Sequence, residues 1–165
     1  MPATFQPIET KTLANDAASV TFSNIPQTLT DLILIASAQR AITGSGGAGT
    51  MRVNGDTGSN YSSTLLYNDG NTAYSFRWSN QTSFQAAFNS GDGSYAVNII
   101  HIMDYANTTT NKTVISRVGF PGTNSRVQAG ANLWRSTAAI NEITLLATSD
   151  IESGSTFTLY GVKAG

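Results

Sequence analysis

The stretch of sequence that decides the fold is Ser94–Tyr105, with the residues SYAVNIIHIMDY. Its alternate positions form two sets, one running from Tyr95 to Tyr105 and the other from Ala96 to Asp104. A period of two residues is that of a β-strand, in which successive side chains point to opposite faces. The polar segment Asn107–Asn111 follows, and then Lys112–Phe120 alternates again. The two alternating segments therefore predict one long antiparallel hairpin.

The same period recurs outward from this hairpin, and helical periodicity is almost absent. Leu32–Ile35 is apolar at every position, which is typical of a central strand covered on both faces. Only Thr10–Ala18 and Arg135–Ile140 have room for a helical turn. Nine or ten strands with turn signals between them predict an all-β, antiparallel two-sheet sandwich of the jelly-roll type. The other predicted strands are Ser19–Ser23, Asp31–Arg40, Met51–Val53, Tyr61–Tyr67, Arg126–Trp134, Ile140–Leu146 and Thr156–Val162, and Ala73–Trp78 and Ser83–Phe88 are two weaker candidates.

The length of 165 residues is that of one domain. Residues 14–165 contain no linker and no internal repeat, so we expect a single β-sandwich domain there. Residues 1–13 combine Phe5, Ile8 and Leu13 with two prolines. That mixture predicts an extended N-terminal arm, which we expect to lie against a neighbouring chain. Deleting the arm should then weaken attachment to a larger assembly while the β-core still folds.

Charge is sparse in this chain. Charged residues make up 12% of the sequence and the net charge is -1, against about 25% charged residues in typical soluble domains. Ser, Thr and Asn together supply about a third of the residues instead. This balance lacks the clustered cations of nucleic-acid binders and of polybasic membrane anchors, so we expect neither a nucleic-acid nor a membrane partner. There is no cysteine, which excludes disulfides and thiolate metal sites.

The sequence contains one pattern associated with cofactor binding. Gly44–Gly49 matches G-x-G-x-x-G, and Asp69 lies about twenty residues beyond it. In dinucleotide-binding proteins a helix opens after the loop and its N-terminus holds the pyrophosphate. Here the β-branched segment Thr50–Gly55 follows, which predicts a strand. The loop is therefore interpreted as a strand connection, and we expect no cofactor.

Catalytic and metal sites are equally weakly indicated. The one histidine, His101, has Asp104 three residues on, but positions three apart in a strand lie on opposite faces. The ten carboxylates lie mostly in turns, and none forms the pair that glycoside cleavage requires. The turn Asp56–Asn60 offers oxygens to a cation but lacks the ligand spacing of a calcium loop. We therefore expect no enzymatic activity and no metal.

Aromatic residues cluster between positions 61 and 78. They are Tyr61, Tyr67, Tyr74, Phe76 and Trp78, interleaved with Asn, Ser and Arg77. Core packing is the first expectation for each ring, but rings beside amide groups also stack on sugars and anchor protein interfaces. The candidate interface residues are Phe5, Ile8, Leu13, Tyr61, Tyr74 and Trp78.

Several segments look familiar when they are taken together. They are Ala18–Thr28, Asp31–Leu34, Val53–Ser62, Asp104–Thr108, Asn111–Val114, Leu133–Trp134, Thr137–Ile140 and Gly154–Gly161. In this order they resemble a widespread group of tailed-bacteriophage virion proteins, found notably among phages of aquatic bacteria. The resemblance covers nearly the whole chain and brings no catalytic motif with it. It implies a structural protein on the surface of the virion, made in the host cytoplasm without a signal peptide.

Two placements on the particle compete. In the first, the domain is a capsid decoration (cement) protein that binds the major capsid protein as a homotrimer. In the second, it is a tail- or head-fibre module that binds host surface glycans. A single domain without a fibrous shaft favours the first placement, as does the low charge, because repeated like charges would repel in a dense lattice. The aromatic cluster between Tyr61 and Trp78 favours the second.

Overall fold

The computed structural model describes residues 4–41, 49–85, 93–121 and 126–163. Within these ranges the chain forms eleven strands and no helix. In chain order the strands are β1 (Phe5–Thr12), β2 (Ala17–Phe22), β3 (Asp31–Ala38), β4 (Gly49–Val53), β5 (Tyr61–Asn68), β6 (Ala73–Gln81), β7 (Ala96–Met103), β8 (Lys112–Phe120), β9 (Arg126–Trp134), β10 (Ile143–Ile151) and β11 (Thr156–Val162).

The strands build two antiparallel sheets that face each other. The large sheet has eight strands in the order β1-β11-β3-β7-β8-β9-β5-β6, and the small sheet has three in the order β2-β10-β4. Residues of the small sheet such as Phe22 and Ile143 join one buried core with residues of the large sheet such as Leu34 and Ile100. The prediction of an all-β antiparallel sandwich is confirmed, and this sheet order is compatible with a jelly roll.

The predicted hairpin is present as β7 and β8, which pair antiparallel from Val97 opposite Gly119 to Met103 opposite Thr113. On β7 the buried set is Ala96, Asn98, Ile100 and Ile102. The other set, which includes Val97, lies on the side away from the small sheet. The period of two in this segment thus separates a core face from an outward face, as strand geometry requires.

Strand β3 corrects one expectation. It lies inside the large sheet, between β11 and β7, as predicted for a central strand. Leu32 and Leu34 are buried, but Ile35 is 42% exposed on the opposite face. The small sheet covers only one face of the large sheet, so the apolar residues on the other face of β3 are not buried within this chain.

The N-terminal segment is extended, but its described part belongs to the large sheet. β1 pairs with β11 from Phe5 opposite Val162 to Thr12 opposite Thr156, with a register shift between Pro7 and Glu9. Ile8 and Leu13 pack against the core. Deletion of residues 1–13 would therefore remove an edge strand as well as any contact with another chain. That this segment touches a neighbouring chain stays a prediction.

Two further expectations differ from the structure. Neither Thr10–Ala18 nor Arg135–Ile140 forms a helical turn, since the first segment contributes to β1 and β2. The predicted strand Ser83–Phe88 is reduced, in its described part, to one bridge between Phe84 and Met51 of β4. The remainder of that segment lies outside the described residues.

Candidate interaction surfaces

The side of the large sheet that faces away from the small sheet carries many exposed apolar side chains. We call this surface the outer face. Its rows can be followed from strand to strand, for example Ile35 opposite Ile99 and Leu66 opposite Ala129. Among its members Val127 is 67% exposed, Leu66 58% and Val97 53%. The other exposed large apolar residues in its strands are Ile35, Met103, Ile115 and Leu133.

Few charges interrupt the outer face. By strand register its described charged side chains are Asp31, Arg77 and Arg117, and Arg135, just beyond the end of β9, donates a hydrogen bond to Ser62 on the same face. Eight strands span roughly 34 Å and eight residues along a strand roughly 26 Å. The face therefore measures roughly 900 Å², close to the ~800 Å² that each partner contributes to a standard protein interface. The exposed apolar residues of this face lie on five neighbouring strands, β3, β7, β8, β9 and β5, among polar residues such as Thr113 and Ser62, which identifies this part of the face as a candidate docking surface.

A second surface is formed by four stacked rings on β5 and β6, which we call the aromatic ladder. Tyr67 lies 4.8 Å from Tyr74 and 5.6 Å from Phe76, measured between ring centroids, and Phe76 lies 5.5 Å from Trp78. The alternation along β6 places Tyr74, Phe76 and Trp78 on one face of the strand. This is the face that continues the core side of the sheet, but β6 is exposed along nearly its whole length.

A cation extends the ladder at one end. The guanidinium of Arg126 lies 5.3 Å from the ring centroid of Tyr67 and 5.7 Å from that of Phe120. A guanidinium over an aromatic face is attracted by the negative π-surface of the ring. The ladder therefore combines apolar area with a positive charge, which suits either a sugar bearing an acid group or a protein segment bearing a carboxylate.

The candidate residues predicted from the sequence separate into ladder residues, one exposed ring at the other edge of the sheet, and residues that pack inside the protein. Tyr74 and Trp78 lie together on the ladder, whereas Phe5 is 56% exposed on β1, at the other edge of the large sheet. Ile8 and Leu13 pack against the core. Tyr61 is fully buried, so it is not part of a surface. Its ring meets Phe84 edge-on at 4.8 Å, because the alternation of β5 turns it toward the small sheet.

The outer face was not identified from the sequence, although a signal was present. In β8 and β9 apolar residues occur in both alternating sets, as in Val114 with Ile115 and Leu133 with Trp134. A sandwich strand with one solvated face normally carries polar residues on that face. Apolar residues on both faces of strands in a two-layer protein therefore indicate a surface that another molecule covers.

His101 has a carboxylate partner on the neighbouring strand β3. Nε2 of His101 lies 3.1 Å from Oδ2 of Asp31, and Oδ1 of the same carboxylate accepts a hydrogen bond from the backbone N–H of Asp104. On the adjacent strands His101 is paired with Ile33 and Ile115, neither of which carries a nucleophile. Within the described ranges no group of three His, Cys, Asp or Glu residues is placed to hold a metal ion.

The turn after β4, considered above for a cation, is closed by its own hydrogen bonds. The Asp56 carboxylate accepts from the backbone N–H of Gly58, from the side-chain amide of Asn60 and from the indole N–H of Trp134. Burial raises the pKa of Asp56, but these three hydrogen bonds outweigh that effect and hold the pKa below its ordinary value. The carboxylate is therefore occupied in a structural role.

Most of the glycine-rich pattern at Gly44–Gly49 lies outside the described residues. Gly49 begins strand β4, and the segment that follows is a strand and not a helix. The helix N-terminus that a dinucleotide site requires is therefore replaced here by the edge of the small sheet.

Comparisons with protein-family models, with curated proteins and with solved structures found no match for this chain. None of the described segments forms a helix with the length and apolar character needed to cross a membrane.

Proposed function

We propose that this chain is a structural protein of a tailed-bacteriophage particle that decorates the capsid. In this proposal it assembles as a trimer, binds the major capsid protein and stabilises the shell. The outer face is the observation that carries the proposal, because exposed apolar residues on five neighbouring strands suit a protein that is covered in its working state. The ordered resemblance of segments such as Ala18–Thr28 and Gly154–Gly161 to virion proteins supports the same assignment.

The stabilising mechanism follows from binding linkage. A protein that binds the assembled shell more tightly than its separated subunits shifts the equilibrium toward the shell by that difference in affinity. A trimer that contacts three subunits raises the effective concentration at each further contact. The low charge of the chain, 12% of residues, reduces repulsion between copies arranged in a lattice.

Immunolabelling of virions from a phage that carries this chain tests the placement directly. Label distributed over the whole head in electron micrographs is the expected result. Label confined to the tail or fibres contradicts capsid decoration, and virions without label contradict a virion role altogether. Sedimentation of the purified protein tests the trimer, and a monomer at all concentrations contradicts that part of the proposal.

A matched pair of variants tests the docking surface. Val127→Glu places a charge on the outer face, and Thr108→Glu places the same charge in the exposed turn between β7 and β8. Each protein is added to particles that lack it, and occupancy is measured after sedimentation. We expect Val127→Glu to lose occupancy and Thr108→Glu to retain it. Equal occupancy of the two variants contradicts docking through the outer face.

The aromatic ladder favours a second candidate, a fibre module that binds host surface glycans. Aromatic rings with neighbouring polar groups provide both stacking and hydrogen bonds for a sugar. Trp78→Ala and Tyr74→Ala should then abolish binding on an array of host polysaccharides, while Phe5→Ala, at an exposed ring on the opposite edge, should not. An array on which the unmodified protein binds no host glycan removes this candidate.

A further inference from the structure

Strand β6 is an edge of the large sheet, and it is open on three sides. In the described part of the chain it pairs with β5 only, so the backbone groups on its other side have no strand partner. Its residues from Ala73 to Arg77 are exposed on both faces. Pairing with β5 is regular from Ala73 to Trp78, and the register shifts beyond that point. Six residues of regular backbone are thus presented along an open edge.

The opposite edge of the same sheet is protected in ways that β6 is not. β1 contains Pro7, which lacks a backbone donor, a register shift after it, and an ion pair between Lys11 and Glu9 at 3.2 Å. Prolines, irregular pairing and charges are the features by which edge strands avoid adding further strands. The regular part of β6 has neither a proline nor a bulge, and it carries three aromatic rings and one charge. An open edge of this kind is a template for strand addition.

Three arginines and one carboxylate lie near β6, so positive charge is in excess there. Arg77 lies in the strand itself, and Arg135 is held beside its end by hydrogen bonds to the carbonyl of Ser59 and the side-chain oxygen of Asn80. Arg126 lies over Tyr67 at the other end of the ladder. None of these three arginines has a carboxylate within 4.0 Å among the described residues. Arg77 and Arg135 also line one open concavity of about 580 Å³ on the outer-face side.

The nearest acidic residue along the chain does not neutralise this group. Asp69 lies in the turn between β5 and β6, and its carboxylate accepts hydrogen bonds from the backbone N–H groups of Asn71 and Thr72 and from the hydroxyl of Tyr74. The strand β6 of a second copy carries Arg77 and no acidic residue of its own. Charge complementarity therefore favours a partner strand that carries carboxylates.

We propose that β6 binds an extended segment of a partner protein by strand addition. The added strand pairs with the free backbone groups of Ala73–Trp78 and places apolar side chains at alternate positions against the aromatic ladder. Its other set of alternate positions carries Asp or Glu, which bind Arg77 and Arg135. Main-chain hydrogen bonds supply affinity in such complexes, and alternate side chains supply specificity. This binding mode does not depend on the chain being a virion protein.

The probe is an acetylated and amidated peptide of eight residues in which Val alternates with Glu. Two control peptides accompany it, one with Lys in place of Glu and one with the Val–Glu sequence N-methylated at every residue. Binding of labelled peptides to the intact protein is measured by fluorescence anisotropy. Hydrogen exchange read by mass spectrometry shows which segment becomes protected. We expect the Val–Glu peptide alone to bind, with protection of Ala73–Trp78.

Charge-reversal variants make the test specific. Arg77→Glu should lower the affinity for the Val–Glu peptide by at least about tenfold, the equivalent of one charge-assisted hydrogen bond. The same variant should bind the Val–Lys peptide, which the unmodified protein does not bind. Arg117→Glu, the same change on the outer face of β8, should leave both affinities unchanged. Unfolding curves of the two variants confirm that each remains folded.

Three outcomes overturn the proposal. The first is a Val–Glu peptide that does not bind. Arg77 would then be a charge that prevents strand addition at the β6 edge. The second is binding that survives complete N-methylation, because backbone pairing is then not involved. The third is binding of glycans by the aromatic ladder that Trp78→Ala abolishes, in a protein whose β6 no peptide protects from hydrogen exchange.

Discussion

The indole N–H of Trp134 donates a hydrogen bond to the carboxylate of Asp56, with Nε1 and Oδ2 2.6 Å apart. Trp134 is 3% exposed in β9, whereas Asp56 lies in the turn between β4 and β5. The same carboxylate accepts from the amide of Asn60 at 2.9 Å and from the backbone N–H of Gly58 at 2.7 Å. One side chain thus closes a surface turn and satisfies the single polar atom of a core ring.

Replacing Asp56 with Ala should lower the free energy of unfolding. The indole N–H of Trp134 would be left buried without an acceptor, and an unsatisfied buried donor costs about 1–3 kcal/mol. Urea unfolding followed by far-ultraviolet circular dichroism measures the change. Asp69→Ala is the control, because Asp69 also caps its own turn but serves no core group. Equal losses in the two variants would show that the bond to Trp134 contributes nothing.

The lowered pKa of Asp56 predicts a stability change in acid. In the folded chain the pKa lies below its ordinary value of 3.8, so the folded state holds the proton less tightly than the unfolded state. This contribution is fully present above the unfolded pKa and is lost as the pH falls through the folded pKa. The difference in unfolding free energy between the unmodified protein and Asp56→Asn should therefore narrow from pH 5 to about pH 2. A difference that stays constant over this range contradicts the assignment.

Two strand glycines should respond oppositely to a methyl group. A Cβ on Gly130 of β9 would lie 2.6 Å from Cδ2 of Leu65 and 2.6 Å from Oγ of Ser116, whereas one on Gly119 of β8 would meet nothing within 4 Å. Overpacking costs about 1–3 kcal/mol, while replacing an unconstrained strand glycine with alanine gains about 0.5 kcal/mol. Thermal unfolding of Gly130→Ala and Gly119→Ala measures both effects. A Gly130→Ala protein as stable as Gly119→Ala would mean that the core accommodates the methyl group.

The parts of the fold that sequence reasoning predicted are local. The hairpin of β7 and β8 follows from a period of two on either side of a short polar turn, and both signals lie within one stretch of chain. Strand β6 was also predicted from a local alternation, as Ala73–Trp78, and it is observed as Ala73–Gln81. Tyr74 and Trp78, both predicted as interface residues, lie on one face of β6 because residues four apart in a strand share a face.

What sequence reasoning missed depends on contacts between distant segments. Residues 1–13 were predicted to be an extended arm against a neighbouring chain, and the pairing of β1 with β11, some 150 residues later, has no signal in that local pattern. His101 meets Asp31, which is 70 residues away in sequence, instead of a neighbour along β7. Tyr61 could not be separated from Tyr74 by residue type, since the position of the small sheet decides which rings are buried.

The buried hydroxyl of Tyr61 predicts a late step in alkaline titration. The hydroxyl lies 3.0 Å from the carbonyl oxygen of Asp56 and 3.3 Å from that of Val53. Burial, helped by the nearby charge of Asp56, raises the pKa of Tyr61 to about 12, against the lowering by the hydrogen bond at Val53. Among the six tyrosines, Tyr105 also has a pKa raised by burial. Absorbance of tyrosinate in the folded protein should therefore show a component near pH 12.

The raised pKa also fixes the direction of the stability change. The folded chain holds the Tyr61 proton more tightly than the unfolded chain, so the stabilisation is fully present below the unfolded pKa of about 10. It is lost as the pH rises through the folded value of about 12. Tyr61→Phe should remove the latest component of the titration and flatten the fall in unfolding free energy above pH 10, whereas Tyr74→Phe, on the exposed ladder, should change neither. Retention of the late component in Tyr61→Phe would assign it to Tyr105 and contradict the prediction.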